Sequence, residues 1–297
     1  MIRLRRKRAR NAFGATVAAT GWGESTFAEL SWDKSRSAGL RWALAGVLVG
    51  VIVAVVAFAP AAWLARWVGQ ASGERVLLAD ARGTVWSGSA VMVLTGGPGS
   101  RDAAALPGRL HWTLGWQGAG FALHARHACC LNGNVTLLIR PGLGRFALVL
   151  VPPSGWVGQW PAAFLGGLGT PWNTMQLGGV VRLSSPALRL ESVQGRWLVE
   201  GRADVELVGV SSRLTTLDSL GSYRLGLSAD PANPGNALLT LSTIEGPMQM
   251  LGNGAWGPSG LRFRGEASAA PAEEAALANL LNIIGRRNGA RSVISIG

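Results

Sequence analysis

Residues Trp42 to Ala65 (WALAGVLVGVIVAVVAFAPAAWLA) carry no charged side chain, and Arg41 and Arg66 bracket them. About 20 apolar residues in a helix span the hydrocarbon of a bilayer. The run therefore reads as a transmembrane helix, and it divides the chain. A short basic tail (1–40) precedes a membrane segment (41–68), and a long Gly-rich body (69–297) follows. Trp42, Trp63 and Trp67 stand where interfacial aromatics are expected. Pro60 lies near the outer end, where a proline kinks a membrane helix without abolishing it. The Ala-rich exit (Ala57, Ala59, Ala61, Ala62) superficially resembles a signal-peptide cleavage site. A signal peptide, however, has an apolar core of about 7–15 residues close to the start. Here the run is longer and begins at residue 42, so it is read as an uncleaved anchor.

The net charge of +12 is unevenly spread. Arg3, Arg5, Arg6, Lys7, Arg8, Arg10, Lys34, Arg36 and Arg41 face only Glu24, Glu29 and Asp33, a net +6 at and before the edge of the apolar run. An excess of Lys and Arg on one flank keeps that flank cytoplasmic. Nucleic-acid binding by the Arg-rich tail is the rival reading. A topology signal accounts for the same composition, and no nucleic-acid partner is expected.

Beyond the anchor, 69–75 reads as a linker. Leu110, Trp112, Leu114 and Trp116 then share one face in strict alternation, the mark of a half-buried strand. Similar alternation recurs at 135–140, 146–151, 180–183, 188–190, 196–210, 223–227, 237–244 and 261–267, separated by turn residues. Val76–Leu94 reads as two strands meeting around Gly83–Gly88, with Trp86 as a core or hairpin anchor. The expected fold is mainly β: a single N-terminal transmembrane helix, then an extended antiparallel sheet domain with a short C-terminal helix. Leu106–Trp112, Val193–Leu198 and Leu251–Trp256 are loosely alike, at spacings too irregular for a solenoid.

Two stretches break the strand pattern. Residues 159–168 predict a short helix with Pro161 near its start. Residues 271–285 predict a firmer one. Pro271, Glu273 and Glu274 mark its N-terminus, Leu277, Leu280, Leu281 and Ile284 its apolar face, and Gly285 its stop. Residues 292–296 predict a closing strand.

The chain is poor in chemistry. Its only lysines are Lys7 and Lys34, so no P-loop lysine follows the anchor, and no HExxH or CxxC spacing occurs. Three histidines and few carboxylates leave little for acid–base catalysis. Glu200, Asp204 and Glu206 alternate with apolar positions as a solvated sheet face would, and Arg182, Arg189, Arg196 and Arg202 fit the same reading. Cys129 and Cys130 are adjacent, and on a strand they would face opposite sides, so a bond between them is not expected. A metal cluster with His124 and His127 is conceivable. The stretch 121–131 reads as an ordinary strand that would split those histidines between faces, so no metal is expected. Pairing of Cys129 or Cys130 between molecules is a further alternative. No catalytic residue, cofactor or metal ligand is assigned.

Four motifs do carry a resemblance: Gly83-Thr84-Val85-Trp86-Ser87-Gly88; Leu106-Pro107-Gly108-Arg109 with Trp112; Gly221 and Tyr223 in Leu220-Gly-Ser-Tyr-Arg-Leu; and Leu281, Asn282, Gly285 and Arg286 in Leu280-Leu-Asn-Ile-Ile-Gly-Arg-Arg. In this order after one anchor, they resemble the type II secretion system protein N (general secretion pathway protein N) family. The resemblance implies a bitopic inner-membrane protein, N-terminus cytoplasmic and β domain periplasmic. It also implies a non-enzymatic accessory role in exporting folded proteins, through contacts with other inner-membrane and outer-membrane secretion components. The motif residues would be structural or interacting, with no cofactor. The alternative is an AsmA-like periplasmic lipid-handling protein, in which Leu110, Trp112 and Leu114 would line an open apolar groove.

Overall fold

The computed structural model describes residues 39–194, 196–233, 235–258 and 260–297. The basic tail 1–38 lies outside the described residues. The described chain divides into two compact units at Phe58/Ala59.

The first unit contains helix α1 (Gly39–Ala57), long and apolar enough to cross a membrane. At 1.5 Å per residue its 19 residues extend roughly 28 Å, close to the hydrocarbon thickness. The apolar run continues to Ala65, but the helix does not. Proline disfavours helical backbone at the residue before it and has no N–H of its own to donate. Pro60 is extended (φ −68°, ψ 145°), and helix α2 (Ala61–Ala71) starts immediately after it. The sequence suggested a kink; the structure makes two helices. The break is stabilised from far along the chain. Val85 N–H donates to the Ala59 carbonyl at 2.9 Å, and Pro60 forms a β-bridge with Thr84.

The second unit is built on one antiparallel sheet. It begins with β1 (Val76–Gly83), β2 (Ser87–Thr95), β3 (Ala103–Ala105), β4 (Leu110–Gln117) and β5 (Gly120–His127). There follow β6 (Asn134–Gly142), β7 (Arg145–Val151), β8 (Trp156–Pro161) and the long pair β9 (Leu177–Val193) and β10 (Arg196–Ser212). The last part holds β11 (Gly221–Ala229), β12 (Ala237–Glu245), β13 (Met248–Gly257), β14 (Gly260–Ala269), β15 (Arg286–Asn288) and β16 (Arg291–Ile296). Sequence neighbours pair almost throughout; β3 is laid on β2 and β8 on β9 beside the main path. Strand alternation places one apolar row across six strands: Trp116, Phe121, Ile139, Leu148, Leu190 and Val199 are successive cross-strand partners. The acidic residues of β10 lie among arginines, as a polar sheet face would have them: Arg202 pairs with Asp204, Arg224 with Glu206 and Arg189 with Glu200.

Four local readings change. The runs 180–183 and 188–190 are one strand, β9. Residues 156–161 form strand β8, and only Ala162–Leu168 turns, as a 3-10 helix. β13 is a strand despite Gly252 and Gly254, because these glycines make room for an aromatic ring. A Cβ on Gly254 would sit 2.9 Å from Phe263 Cδ2. Finally, the stretch 121–131 leaves the sheet at His127, and Ala128–Cys130 form a turn. The C-terminal helix forms as expected: a 3-10 turn at Pro271–Glu273 leads into α3 (Glu274–Ile284).

Two apolar clusters anchor these elements. The smaller joins Ala61 of α2 to Ala90 and Trp112, with Leu64, Leu78, Ala81 and Leu123 around them. The larger buries Leu277, Leu280 and Leu281 of α3 against Leu220, just before β11, and against Tyr223, Met248 and Ala267 of the sheet. Full burial of each leucine is worth about 1.5–3 kcal/mol.

Candidate functional site

The motif residues gather at two places rather than one. The first two motifs meet at the β1–β2 turn. Thr84 and Ser87 close it: Thr84 N–H donates to the Ser87 carbonyl at 2.8 Å, and Ser87 N–H donates to Thr84 Oγ1 at 3.1 Å. Gly83 and Gly88 face each other as the last β1–β2 pair. Trp112 of β4 then reaches under the turn. Its indole Nε1–H donates to the Val85 carbonyl at 3.1 Å, and Leu114 N–H donates to the Trp86 carbonyl at 2.6 Å. A Cβ on Gly88 would fall 2.5 Å from Trp112 Cζ2, so glycine there is the condition for the indole's seat. Trp86 lies near Phe121, ring centroids 6.3 Å apart.

Arg109 ties the second motif to β1. Its guanidinium donates to Asp80 Oδ2 and to the Asp80 carbonyl, both at 2.6 Å, and Nε donates to Ser89 Oγ at 3.2 Å. The Arg109 and Arg82 guanidiniums, in that order, hold the Asp80 carboxyl below its usual range. Leu106 is buried, while Pro107 and Gly108 are exposed. Trp112 is only 4% exposed, and Leu110 and Leu114 are half-buried. Of the three residues that would line a groove under the lipid-handling alternative, Trp112 is instead packed beneath the β1–β2 turn.

The last two motifs meet in the larger cluster. Gly221 and Tyr223 lie buried on β11. The Tyr223 hydroxyl donates within reach of two carbonyls, Leu220 at 2.9 Å and Met248 at 3.1 Å, and burial pushes its pKa up. Leu281 is fully buried, and its carbonyl accepts the Ser292 hydroxyl at 2.7 Å. Gly285 ends α3, where a Cβ would collide with the Val293 carbonyl. Asn282 and Arg286 are exposed. The motif residues are thus mostly ties within the fold, and Asn282 and Arg286 offer themselves to solvent.

A third place departs from the strand that its sequence predicts. Cys129 and Cys130 are joined to each other, their Cα atoms 3.7 Å apart. They lie in a turn, where successive side chains no longer alternate between faces as they do on a strand. Both cysteines are thereby used, so no intermolecular pair is formed from them here. His127, 2% exposed, places Nδ1 3.3 Å from Cys129 Sγ. Its Nε2 is buried without a hydrogen-bond partner among the described residues. Burial first, and the nearby His111 second, pull its pKa down. His124 is elsewhere, its Nδ1 2.9 Å from Thr136 Oγ1. The signal in the sequence was the His-x-Cys-Cys spacing itself, masked by the apparent continuation of β5.

Comparison with known proteins bears on the whole β domain. No curated protein and no solved structure matches the chain. The family described as type II secretion system (T2SS), protein N, matches residues 74–294, from just before β1 into β16, and takes in all four motifs. That match covers well over half of the sequence, and the chain belongs to the type II secretion system protein N family.

Proposed function

We propose that the protein is an inner-membrane accessory component of the type II secretion system, supporting export of folded proteins without catalysing a reaction. The observation that carries this reading is the family match over residues 74–294. Helix α1, directly upstream, supports a single-pass anchor. The basic excess before it favours a cytoplasmic N-terminus, which puts the β domain in the periplasm. There it would contact other inner-membrane and outer-membrane secretion components. Two surfaces suit such contacts. β1 ends the sheet and pairs with β2 alone among the described strands, so a partner strand could extend it. Asn282 and Arg286 offer polar groups beside the other terminal strand, β15.

The test is export of secreted hydrolases in a strain lacking the gene, complemented with the full chain or with a form that starts at Ala59 and carries a cleavable leader. That start keeps α2, whose Ala61 is buried in the β domain. Export should fall without the gene and return with the full chain but not with the released form. Undiminished export without the gene would refute the reading. Full rescue by the released form would show that the anchor only delivers the domain.

A further inference from the structure

The turn after β5 brings together three donors that soft metals prefer. One ligand atom each from His127, Cys129 and Cys130 lies within 4.8 Å of the others. We propose that, when the Cys129–Cys130 bond is reduced, His127 Nδ1 and the two sulfurs form a binding site for a thiophilic d10 cation, Zn²⁺ or Cu⁺, and that oxidation to the disulfide closes it.

The donor set decides the class of ion. Thiolate and imidazole suit zinc and cuprous copper, whereas calcium and magnesium need oxygen ligands, and no carboxylate joins this group among the described residues. Three protein ligands leave a fourth tetrahedral position open to water or an external ligand.

The site is held in place before any ion arrives. Gln159 N–H donates to the Cys130 carbonyl at 2.9 Å, Asn132 N–H donates to the Val157 carbonyl at 3.1 Å, and Leu131 bridges Gly158. The Asn132 amide donates to the Ser154 and Trp156 carbonyls, both at 3.0 Å. These bonds fasten the cysteine turn to β8 and the loop before it.

The imidazole supplies the independent observation. Its Nε2 has no hydrogen-bond partner among the described residues. Its other nitrogen meets only Cys129: the backbone N–H at a long 3.4 Å and the sulfur at 3.3 Å. That leaves the Nδ1 lone pair weakly engaged and beside the Cys129 sulfur. Cys129 is exposed and gives a reductant and a cation their way in, while Cys130 is buried beneath it.

Opening the site takes two electrons and two protons from an external dithiol, which becomes a disulfide as the Cys129–Cys130 bond breaks to two thiols. Binding Zn²⁺ then releases the two thiol protons as both sulfurs become thiolate ligands.

The probe is Co²⁺, added to the full-length protein in detergent after reduction with a phosphine, with the oxidised protein alongside. One Co²⁺ per reduced chain is expected, with sulfur-to-cobalt charge-transfer absorption that Zn²⁺ abolishes by displacement. The oxidised protein should show none. Cys129→Ser, at an exposed position that leaves packing intact, should lose most of that absorption, and His127→Gln should weaken binding while keeping a thiolate signal. Absence of the charge-transfer band in the reduced wild type, an equal band in the oxidised protein, or an unchanged band in Cys129→Ser would each overturn the proposal.

Discussion

The two ends of the sheet are fastened by different kinds of interaction. Around the β1–β2 turn the ties are polar and run from side chain to backbone. Trp112 donates to the Val85 carbonyl, Arg109 grips Asp80 and its carbonyl, and the apolar cluster beneath has only three buried members among the described residues. Around α3 apolar contact dominates, with twelve buried residues among the described ones and a leucine-rich helix face, and the Tyr223 and Ser292 hydroxyls add bonds to the backbone. Hydrogen bonds add about 0.5–1.5 kcal/mol each but demand a particular geometry, whereas burial is non-directional and larger in sum. The first end is therefore specified by shape and the second by area. The shaped end also holds the first residues of the second unit, Ala59 and Pro60.

This contrast is most sharply tested at Leu281. Leu281→Ala empties a fully buried position in the larger cluster and should cost about 2–5 kcal/mol in chemical denaturation of the full chain. Amide exchange should quicken through β11–β16 and leave the β1–β2 turn protected. Equal quickening at both ends would mean that the sheet opens as one body and that the distinction has no energetic content.

A smaller and more local loss is expected at Gly88. Gly88→Ala drives a methyl into the Trp112 ring and the Arg82 carbonyl, which lies 2.7 Å from the new Cβ. Overpacking of this kind costs about 1–3 kcal/mol. The loss should appear as faster exchange at Thr84, Ser87 and Leu114, with a blue or red shift of tryptophan emission as Trp112 leaves its seat. A variant that keeps both protection and emission would show the turn to be adaptable, and the shaped end would not be specified by shape.

What was legible in the sequence follows the same division. The apolar end announces itself by period: Leu277, Leu280, Leu281 and Ile284 repeat at helical spacing, and α3 forms where they predict. Strand alternation is equally local, which is why β4, β6 and β7 are visible without a structure. Polar ties join residues far apart in sequence, and pattern carries no trace of them. Nothing around Pro60 says that Ala59 will find Val85, so the helix break was read as a kink. Nothing around Asp80 points to Arg109, 29 residues on. Gly252 and Gly254 hid β13, because their reason is Phe263 on the next strand. The cysteine turn was missed because Phe121–His127 alternates well enough to suggest that the strand continues. The four motifs were visible as words; that they pair two by two is a fact of the register.

The smallest expected effect isolates charge within the polar end. Asp80 sits at the register shift in β1 with a left-handed backbone (φ 48°), a conformation asparagine also tolerates. Asp80→Asn therefore removes the charge while sparing the backbone and retaining a carbonyl oxygen to accept from Arg109. Because hydrogen bonds from Arg109 and then Arg82 lower the folded pKa below the ordinary 3.8, the unfolded chain binds the proton more readily. The stabilisation from the ionised form is fully present above pH 3.8 and disappears as pH falls through the lower folded value. The wild type should accordingly exceed Asp80→Asn in stability by a constant margin at neutral pH, and the two curves should converge below pH 3.8. The Asp80 side chain is 51% exposed, so the margin is small and should shrink further in added salt. If the curves stay parallel into acid, the ion pair is a bystander, and the polar end owes its shape to the Trp112 indole and the backbone of the turn.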